Sequence, residues 1–407
     1  MNKKKILNDP VYGFISIPSE LIFDLIEHRY FQRLRRIKQV GLTHYVYPGA
    51  LHTRFHHALG AMHLMQTAIA TLRSKEIEIT ADEAEAAMIA ILLHDIGHGP
   101  YSHALEGVLI NASHESLTRL FLKELNRQFD GALDMAIAIF EGTYRKDFLH
   151  QLIASQLDLD RLDYLKRDSF FTGVAEGNIG HDRIIKMLNV VDDQIVIEQK
   201  GIYSIEKFIV ARRLMYWQVY LHKAVIGAEQ MLKQLLLLLR VRAQQGATLN
   251  HLPNYLYEFV RTFPDPAESD DPSEILHKFA EIDDVDVGFA LKVLSNTEDR
   301  VISLLATNIL ERRLFHTQLN EQPLPQGYID EITRRTAQVL NMSEDEARQL
   351  VIPGHESIPT YKTADNEILM LLKDGRVVPL SRMLNLERDS ISETYYLCYP
   401  KESRLHA

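Results

Sequence analysis

The run Ile91-Leu92-Leu93-His94-Asp95-Ile96-Gly97-His98-Gly99-Pro100 decides how this chain is read. A histidine and a carboxylate stand there at the end of an otherwise apolar helix. Burial of either is costly, and a divalent cation is the partner that would most simply offset that cost. Working outward, Thr80-Ala81-Asp82-Glu83 is a capping box, Met88, Ile89, Leu92 and Leu93 recur at helical spacing, and Gly97 offers a left-handed stop, so a helix is predicted over 81–96. Adjacent helical residues diverge by about 100°. His94 and Asp95 can therefore share one ion only if it sits over the ridge between them and other ligands arrive from elsewhere.

Candidates lie on both sides. Seven histidines fall between positions 56 and 114 (His56, His57, His63, His94, His98, His103, His114), and a carboxylate-rich helix, Asp158-Leu159-Asp160-Arg161-Leu162-Asp163-Tyr164, follows later. Two neutral imidazoles with two carboxylates would neutralise a 2+ ion and leave positions open for water and phosphate oxygens, a donor set that suits Mn, Mg, Fe or Zn. Asp160, Tyr164 and Asp168 lie at i, i+4 and i+8, so one helical face can present all three. Arg212, Tyr216 and Tyr220 repeat that spacing further on.

The chain has 407 residues and a formal net charge of −10, which argues against broad nucleic-acid binding, because phosphate backbones need an extended basic surface. Cys398 is the only cysteine, so neither a disulfide framework nor a Cys-rich zinc site is available. Met1-Asn2-Lys3-Lys4-Lys5 imitates the start of a signal peptide, but Ile6-Leu7-Asn8-Asp9-Pro10 follows in place of an apolar segment, and the leucine run 235–239 is far below the ~20 residues of a membrane span. The expectation is a cytoplasmic protein without a membrane segment.

Ser19 opens a predicted amphipathic helix over 19–40, and further helices are expected near 55–73, 114–129, 132–141, 148–169 and, as one long rod, 204–242. Gln194–Glu198 and the residues around Gly201 suggest a small hairpin. After a loop at Pro264–Pro272, helices are expected near 273–281, 287–294 and 298–310, and Glu367–Leu372 with Tyr395–Tyr399 read as strands around a hairpin. The domains expected are a helical one over 1–245, a helical extension over 246–345 and a small α/β lobe over 346–407.

The ordered motifs Asn8-Asp9-Pro10, Phe31-Gln32-Arg33-Leu34-Arg35, Tyr47-Pro48-Gly49-Ala50, Arg54-Phe55-His56-His57, His94 to His103 and Asp158 to Tyr164 resemble those of the HD-domain phosphohydrolases, in particular the deoxynucleoside triphosphate triphosphohydrolase (dNTPase) subgroup. The resemblance covers residues 5–230 and implies a mainly α fold: an HD-domain helical core with a small hairpin and a smaller C-terminal α/β lobe. On the family pattern, His57, His94, Asp95 and Asp160 hold the divalent ion. His57 is preferred to its neighbour His56 because, in the family motif, Arg and Phe precede a variable residue and then the ligand.

The resemblance further implies that Arg54, His98, His103, Arg161, Tyr164 and Arg212 meet the triphosphate. Arg and donor His are the right chemistry for that contact. His103, oriented by Glu106, is the implied general acid, with His98 and His114 as further active-site histidines. Gln39, Val40, Asp168 and Tyr220 match sugar contacts, and Lys5, Glu27, Gln32 and Arg35 align with a site for an activating guanine nucleotide at a subunit interface. A dNTP substrate and a homo-oligomer (dimer, tetramer or hexamer) follow from the same likeness. The sequence departs from a mammalian member at Arg161, Val40 and Leu221, which stand where that protein has Lys, Leu and Gln. Two other readings stay open: another HD nucleotide phosphohydrolase, such as a guanine nucleotidase or a two-metal phosphodiesterase, and a non-catalytic nucleotide sensor.

Overall fold

The Ala81–Leu93 helix begins at the capping box, with Thr80 Oγ1 accepting the Glu83 N–H and Glu83 accepting the Thr80 N–H. Every residue of it from Ala86 to Leu93 is buried. A helix apolar on all sides must be enclosed by others, and the Arg54–Ser74 helix, with 13 buried residues, lies against it. The computed structural model describes residues 5–247, 251–358, 367–384 and 392–404; the expectations drawn at Met1–Lys4 lie outside them. One continuous apolar core runs from Ile15 to Cys398, so the architecture is mainly α, as expected, with small sheets at its margins.

Where the expected helices differ, side chains have captured the backbone. The predicted 19–40 helix is Glu20–Glu27, broken at the extended residue His28, whose ring accepts the Tyr30 N–H and opens Arg29–Gln32 and a 3-10 turn at Arg33–Arg36. The 148–169 helix is two, Asp147–Gln151 and Leu159–Thr172, because Asp158 caps the second by accepting the Arg161 N–H while also accepting that of Ser155. The 204–242 rod is Ile202–Met215, a π turn at Tyr216–Tyr220 and then Lys223–Gln244, restarted by the His222 ring. The 81–96 helix stops at Leu93, where Thr118 Oγ1 donates to the His94 carbonyl and accepts the Gly97 N–H. Gly97 is not left-handed; Tyr101 and Ser102 are, with φ of 54° and 55°.

The described strands are β1 (Ile6–Asp9), β2 (Gly13–Ser16), β3 (Leu188–Val191), β4 (Gln194–Glu198), β5 (His316–Asn320), β6 (Ile352–Ile358), β7 (Leu369–Leu371), β8 (Val377–Pro379) and β9 (Ser392–Tyr399). The hairpin partner of β4 is β3, upstream, while Gly201 lies in a helical turn. β7 turns back on β8 and pairs in parallel with β4, giving the order β3-β4-β7-β8, whereas β9 sits between β5 and β6 in a separate sheet. The hairpin expected after Glu367–Leu372 is β7 with β8, around the turn at Lys373–Arg376, whereas Tyr395–Tyr399 belongs to β9 in the other sheet. Helices Asn254–Thr262 and Gln326–Leu340 were not foreseen, and among the described residues no helix is long and apolar enough to cross a membrane.

Gly60 lets the Arg54–Ser74 and Leu159–Thr172 helices meet over the site. A Cβ there would fall 2.0 Å from Asp163 Oδ1 and 2.2 Å from Arg167 Nη2. Neither group can withdraw, because both are buried and paired. Gly60→Ala is expected to lower stability by about 1–3 kcal/mol, the usual cost of overpacking, read as an earlier midpoint in urea unfolding.

Candidate metal centre

Four side chains from three elements converge above Gly60. His57 projects from the first turn of the Arg54–Ser74 helix, His94 and Asp95 from the turn that ends Ala81–Leu93, and Asp160 from the first turn of Leu159–Thr172. His57 Nε2 lies 3.0 Å from Asp160 Oδ1, 3.4 Å from His94 Nε2 and 3.5 Å from Asp95 Oδ2, and His94 Nε2 is 3.4 Å from both Asp160 Oδ1 and Asp95 Oδ1. Two donors held ~2.1 Å from one ion are about 3.0 Å apart at a right angle and about 3.4 Å apart at a tetrahedral angle. The separations among His57, His94 and Asp160 fit a single divalent ion, and Asp95 adjoins both imidazoles. His56 is directed elsewhere, its Nδ1 facing the backbone N–H and hydroxyl of Thr53.

The supporting contacts fix the imidazole tautomers. His57 Nδ1–H donates to Asp163 Oδ2 at 2.7 Å and His94 Nδ1–H to the Ile91 carbonyl at 2.6 Å, which leaves both Nε2 atoms for the ion. Asp163 is held by Arg167, which also reaches Asp9 Oδ2 at 2.7 Å, and Asp9 Oδ1 accepts the Val11 and Tyr12 N–H groups. Burial raises the Asp163 carboxyl, but Arg167 and His57 outweigh it and hold its pKa at about 2. Burial likewise opposes ionisation of Asp95, which Arg54, His94 and His98 nonetheless keep well below the usual carboxylate range. Arg54 bonds Asp95 through Nη1 and Ser102 Oγ through Nε, so its cation is already committed within the cluster.

Beside the four lies an imidazole trio. His98 Nε2 is 3.4 Å from Asp95 Oδ1, its ring stacks on that of His114 at 4.1 Å and 15°, and the His103 ring is edge-on to both. Glu106 takes His103 Nδ1 at 3.1 Å on one oxygen and His114 Nδ1 at 2.7 Å on the other. An ion lies in the plane of an imidazole that ligates it. Stacked rings have parallel planes and cannot converge on one ion as they stand, which favours phosphate and proton chemistry over a second metal here. Burial, then the Arg54 guanidinium, pushes the His98 pKa well down, so His98 is a neutral donor. His103, by contrast, is two-thirds exposed.

The remaining expected residues fall in three places. Arg161 is held by Asp158 and by the Ser155 carbonyl, while Arg212 has a buried Nε without a hydrogen-bond partner among the described residues; Tyr164 lies between the cluster and Tyr220, its hydroxyl pKa raised by burial. Asp168 accepts the Tyr220 hydroxyl at 2.7 Å, and Gln39 is buried with Oε1 unpartnered at the start of the turn that carries Val40. Gln32 and Arg35 are joined at 2.8 Å, Lys5 lies over the Phe23 ring, and Glu27 is an exposed helix end. Sequence reasoning quoted Asp9, Arg33 and Asp163 within motifs without giving them tasks. Arg33 proves to be fully buried between Phe121 and Phe279, with Nη2 holding the carbonyls of Ile96 and His98. A buried charge without a carboxylate partner is a signal that only coordinates supply.

A family profile described as the HD domain matches residues 54–168, and one described as the HD associated region matches 179–251. The chain is 30% identical to the uncharacterized protein YwfO of Bacillus subtilis (strain 168) over 99% of its own length and 93% of that protein's. It is 34% identical to the deoxynucleoside triphosphate triphosphohydrolase SAMHD1 homolog of Dictyostelium discoideum, over 56% of this chain and 48% of that relative. A crystal structure of a phosphohydrolase from Bacteroides thetaiotaomicron matches with a TM-score of 0.93 at 46% identity, covering 98% of this chain and 100% of that one.

The charge balance sets a pH test for metal binding. Burial lowers the His57 pKa, but hydrogen bonds to Asp160 and Asp163 outweigh it and raise the value to about 10, so without metal His57 is protonated at neutral pH. An ion must displace that proton. Calorimetry of Mn binding at pH 7.5 in buffers of different ionisation enthalpy is expected to show about one proton released, with affinity rising roughly tenfold per pH unit below pH 10. Buffer-independent heats would contradict this charge state.

Proposed function

Because the chain belongs to the HD-domain phosphohydrolase family, we propose that it hydrolyses deoxynucleoside triphosphates to deoxynucleoside and inorganic triphosphate. The observation that carries this reading is the order of groups along Leu159–Thr172: Asp160 in the four-residue cluster, then Tyr164, then Asp168 bonded to Tyr220, with Arg161 and Arg212 beside them. That order suits a phosphate chain at one end and a sugar at the other. A divalent ion held by His57, His94, Asp95 and Asp160 would supply Lewis-acid activation of water and of the α-phosphate.

The protein's own groups then have distinct tasks. Arg161, Tyr164 and Arg212 receive the charge of the triphosphate, and the neutral His98 donates to a phosphate oxygen. Arg54 neutralises Asp95 and so tunes the cluster. The nucleoside 5′-oxygen leaves poorly unless protonated; His103 gives it a proton from Nε2, while Glu106, bonded at Nδ1, fixes the ring. Gln39, Val40, Asp168 and Tyr220 face the sugar, where Tyr220 and Val40 crowd a 2′-hydroxyl. The relative from Dictyostelium, named for this activity, supports the substrate class.

The same likeness motivates a homo-oligomer with a guanine nucleotide bound near Lys5, Glu27, Gln32 and Arg35. Added dGTP is expected to raise both the hydrolysis rate of another dNTP and the mass seen by light scattering. A rate and a mass that do not respond would remove this part of the reading.

Incubation of metal-loaded protein with each dNTP and each rNTP, with phosphates resolved by ion exchange, tests the reaction. Inorganic triphosphate with deoxynucleoside is expected; orthophosphate or pyrophosphate would move the assignment to another HD phosphohydrolase, and binding without turnover to a sensor. His103→Ala is expected to lower kcat by ~10²- to 10⁴-fold with metal content unchanged.

A further inference from the structure

The buried Asp168 carboxylate has a second partner that the reading above leaves without a task. His52 Nε2 lies 2.6 Å from Asp168 Oδ1, opposite the Tyr220 hydroxyl on Oδ2, and both His52 and Asp168 are at least nine-tenths buried. An ionised carboxylate only accepts, so His52 Nε2–H is the donor. The ring is stacked on Phe171 at 4.5 Å and 15°, three residues beyond Asp168 on the same helix, which leaves it little freedom. His52 also grips the opposite wall: its carbonyl accepts the Gln39 N–H at 3.0 Å, and Gln39 Oε1 is buried without a partner. One residue therefore holds the Asp168 carboxylate with its side chain and the Gln39 backbone with its carbonyl.

We propose that His52 is a positioning residue that fixes the Asp168 carboxylate as the acceptor for the hydrogen of the sugar 3′-hydroxyl, and so sets the preference for a nucleotide that carries one. This inference rests on the substrate reading given above. A carboxylate with one partner per oxygen retains lone pairs for a hydroxyl. Without the imidazole, Asp168 would keep Tyr220 alone and could rotate away from the sugar.

The test compares kcat/KM for a 2′-deoxynucleoside triphosphate and its 2′,3′-dideoxy counterpart in the wild type, His52→Leu and His52→Gln. Leu removes the donor, whereas Gln offers an N–H at comparable reach. His52→Leu is expected to lose about tenfold of the wild-type preference for the 3′-hydroxyl, the scale of one hydrogen bond, mainly through KM and with the dideoxy substrate little affected. His52→Gln is expected to recover most of it. Equal losses on both substrates, or equal effects of Leu and Gln, would overturn the proposal. A crystal structure of His52→Leu gives a reading independent of turnover: a displaced Asp168 carboxylate is expected, and an unmoved one would also overturn it. If the wild type releases no triphosphate from any dNTP, the substrate reading fails on its own, and the Asp168 position still decides whether His52 positions it.

Discussion

Three carboxylates, Asp95, Asp160 and Asp163, lie within one side chain's reach of His57 in the middle of a helical core, and the fold around them follows from the need to balance their charge. Asp163 and Asp95 are buried and Asp160 is only a quarter exposed, and an unpaired buried charge costs several kcal/mol. The chain supplies Arg54 to Asp95 and Arg167 to Asp163, and leaves Asp160 against the two imidazoles. The Nε2 atoms of His57 and His94 therefore face Asp160 at the point where a proton or a divalent ion balances the remaining negative charge. Gly60, the capping box at Thr80 and the Asp158 cap all serve to bring three helix ends to that point.

Once those ends are fixed, the surroundings sort by charge. On one side, His103 and His114, beside His98, share Glu106, whose carboxyl is held low by both of their imidazoles against its own burial. On the side of Leu159–Thr172 the groups are cations and hydroxyls. Eight residues separate Asp160 from Asp168, about 12 Å of helix at 1.5 Å per residue, enough for a phosphate and a ribose between them. On the proposed reading, a single helix thus sets the distance from the reacting phosphorus to the sugar, and rigid spacing of this kind lets a site recognise a whole nucleotide while acting on one bond.

Much of this was legible in the sequence because its signals are local. The Thr80 box, the apolar period up to Leu93 and the motif around His57 placed the helices and brought the four expected residues into one cluster. What stayed hidden depends on side chains that compete with backbone hydrogen bonds. His28, Asp158 and His222 each divide a segment whose hydrophobic period runs on unbroken, so periodicity alone joined what capping separates. The π turn at Tyr216–Tyr220 has no composition signal, being neither Gly nor Pro, yet Tyr220 within it meets Asp168. The β4–β7 pairing joins residues more than 170 apart in sequence, and no local pattern specifies such a partner. Asp163, Arg33 and His52 were readable as residues but not as a support network, since their meaning lies in burial.

The segment after residue 250, which carries no motif, reaches the site through Phe279, packed on Arg33, and through Asp283 and Asp284. Asp284, near the start of a late helix, accepts the Tyr101 N–H at 2.7 Å on one oxygen and the Lys38 N–H at 3.0 Å on the other, while Asp283 pairs with Arg36. Tyr101 and Ser102 are both left-handed, a conformation that non-glycine residues adopt only when their surroundings enforce it. Ser102 Oγ in turn donates to the Lys38 carbonyl and accepts from Arg54 Nε. The strained turn that delivers His103 is thus clamped between the segment leading to Gln39 and the Arg54 that neutralises Asp95. Asp284 is the outer jaw of that clamp, so His103, Gln39 and the Asp95 cluster are registered to one another through a carboxylate lying far from all three in sequence.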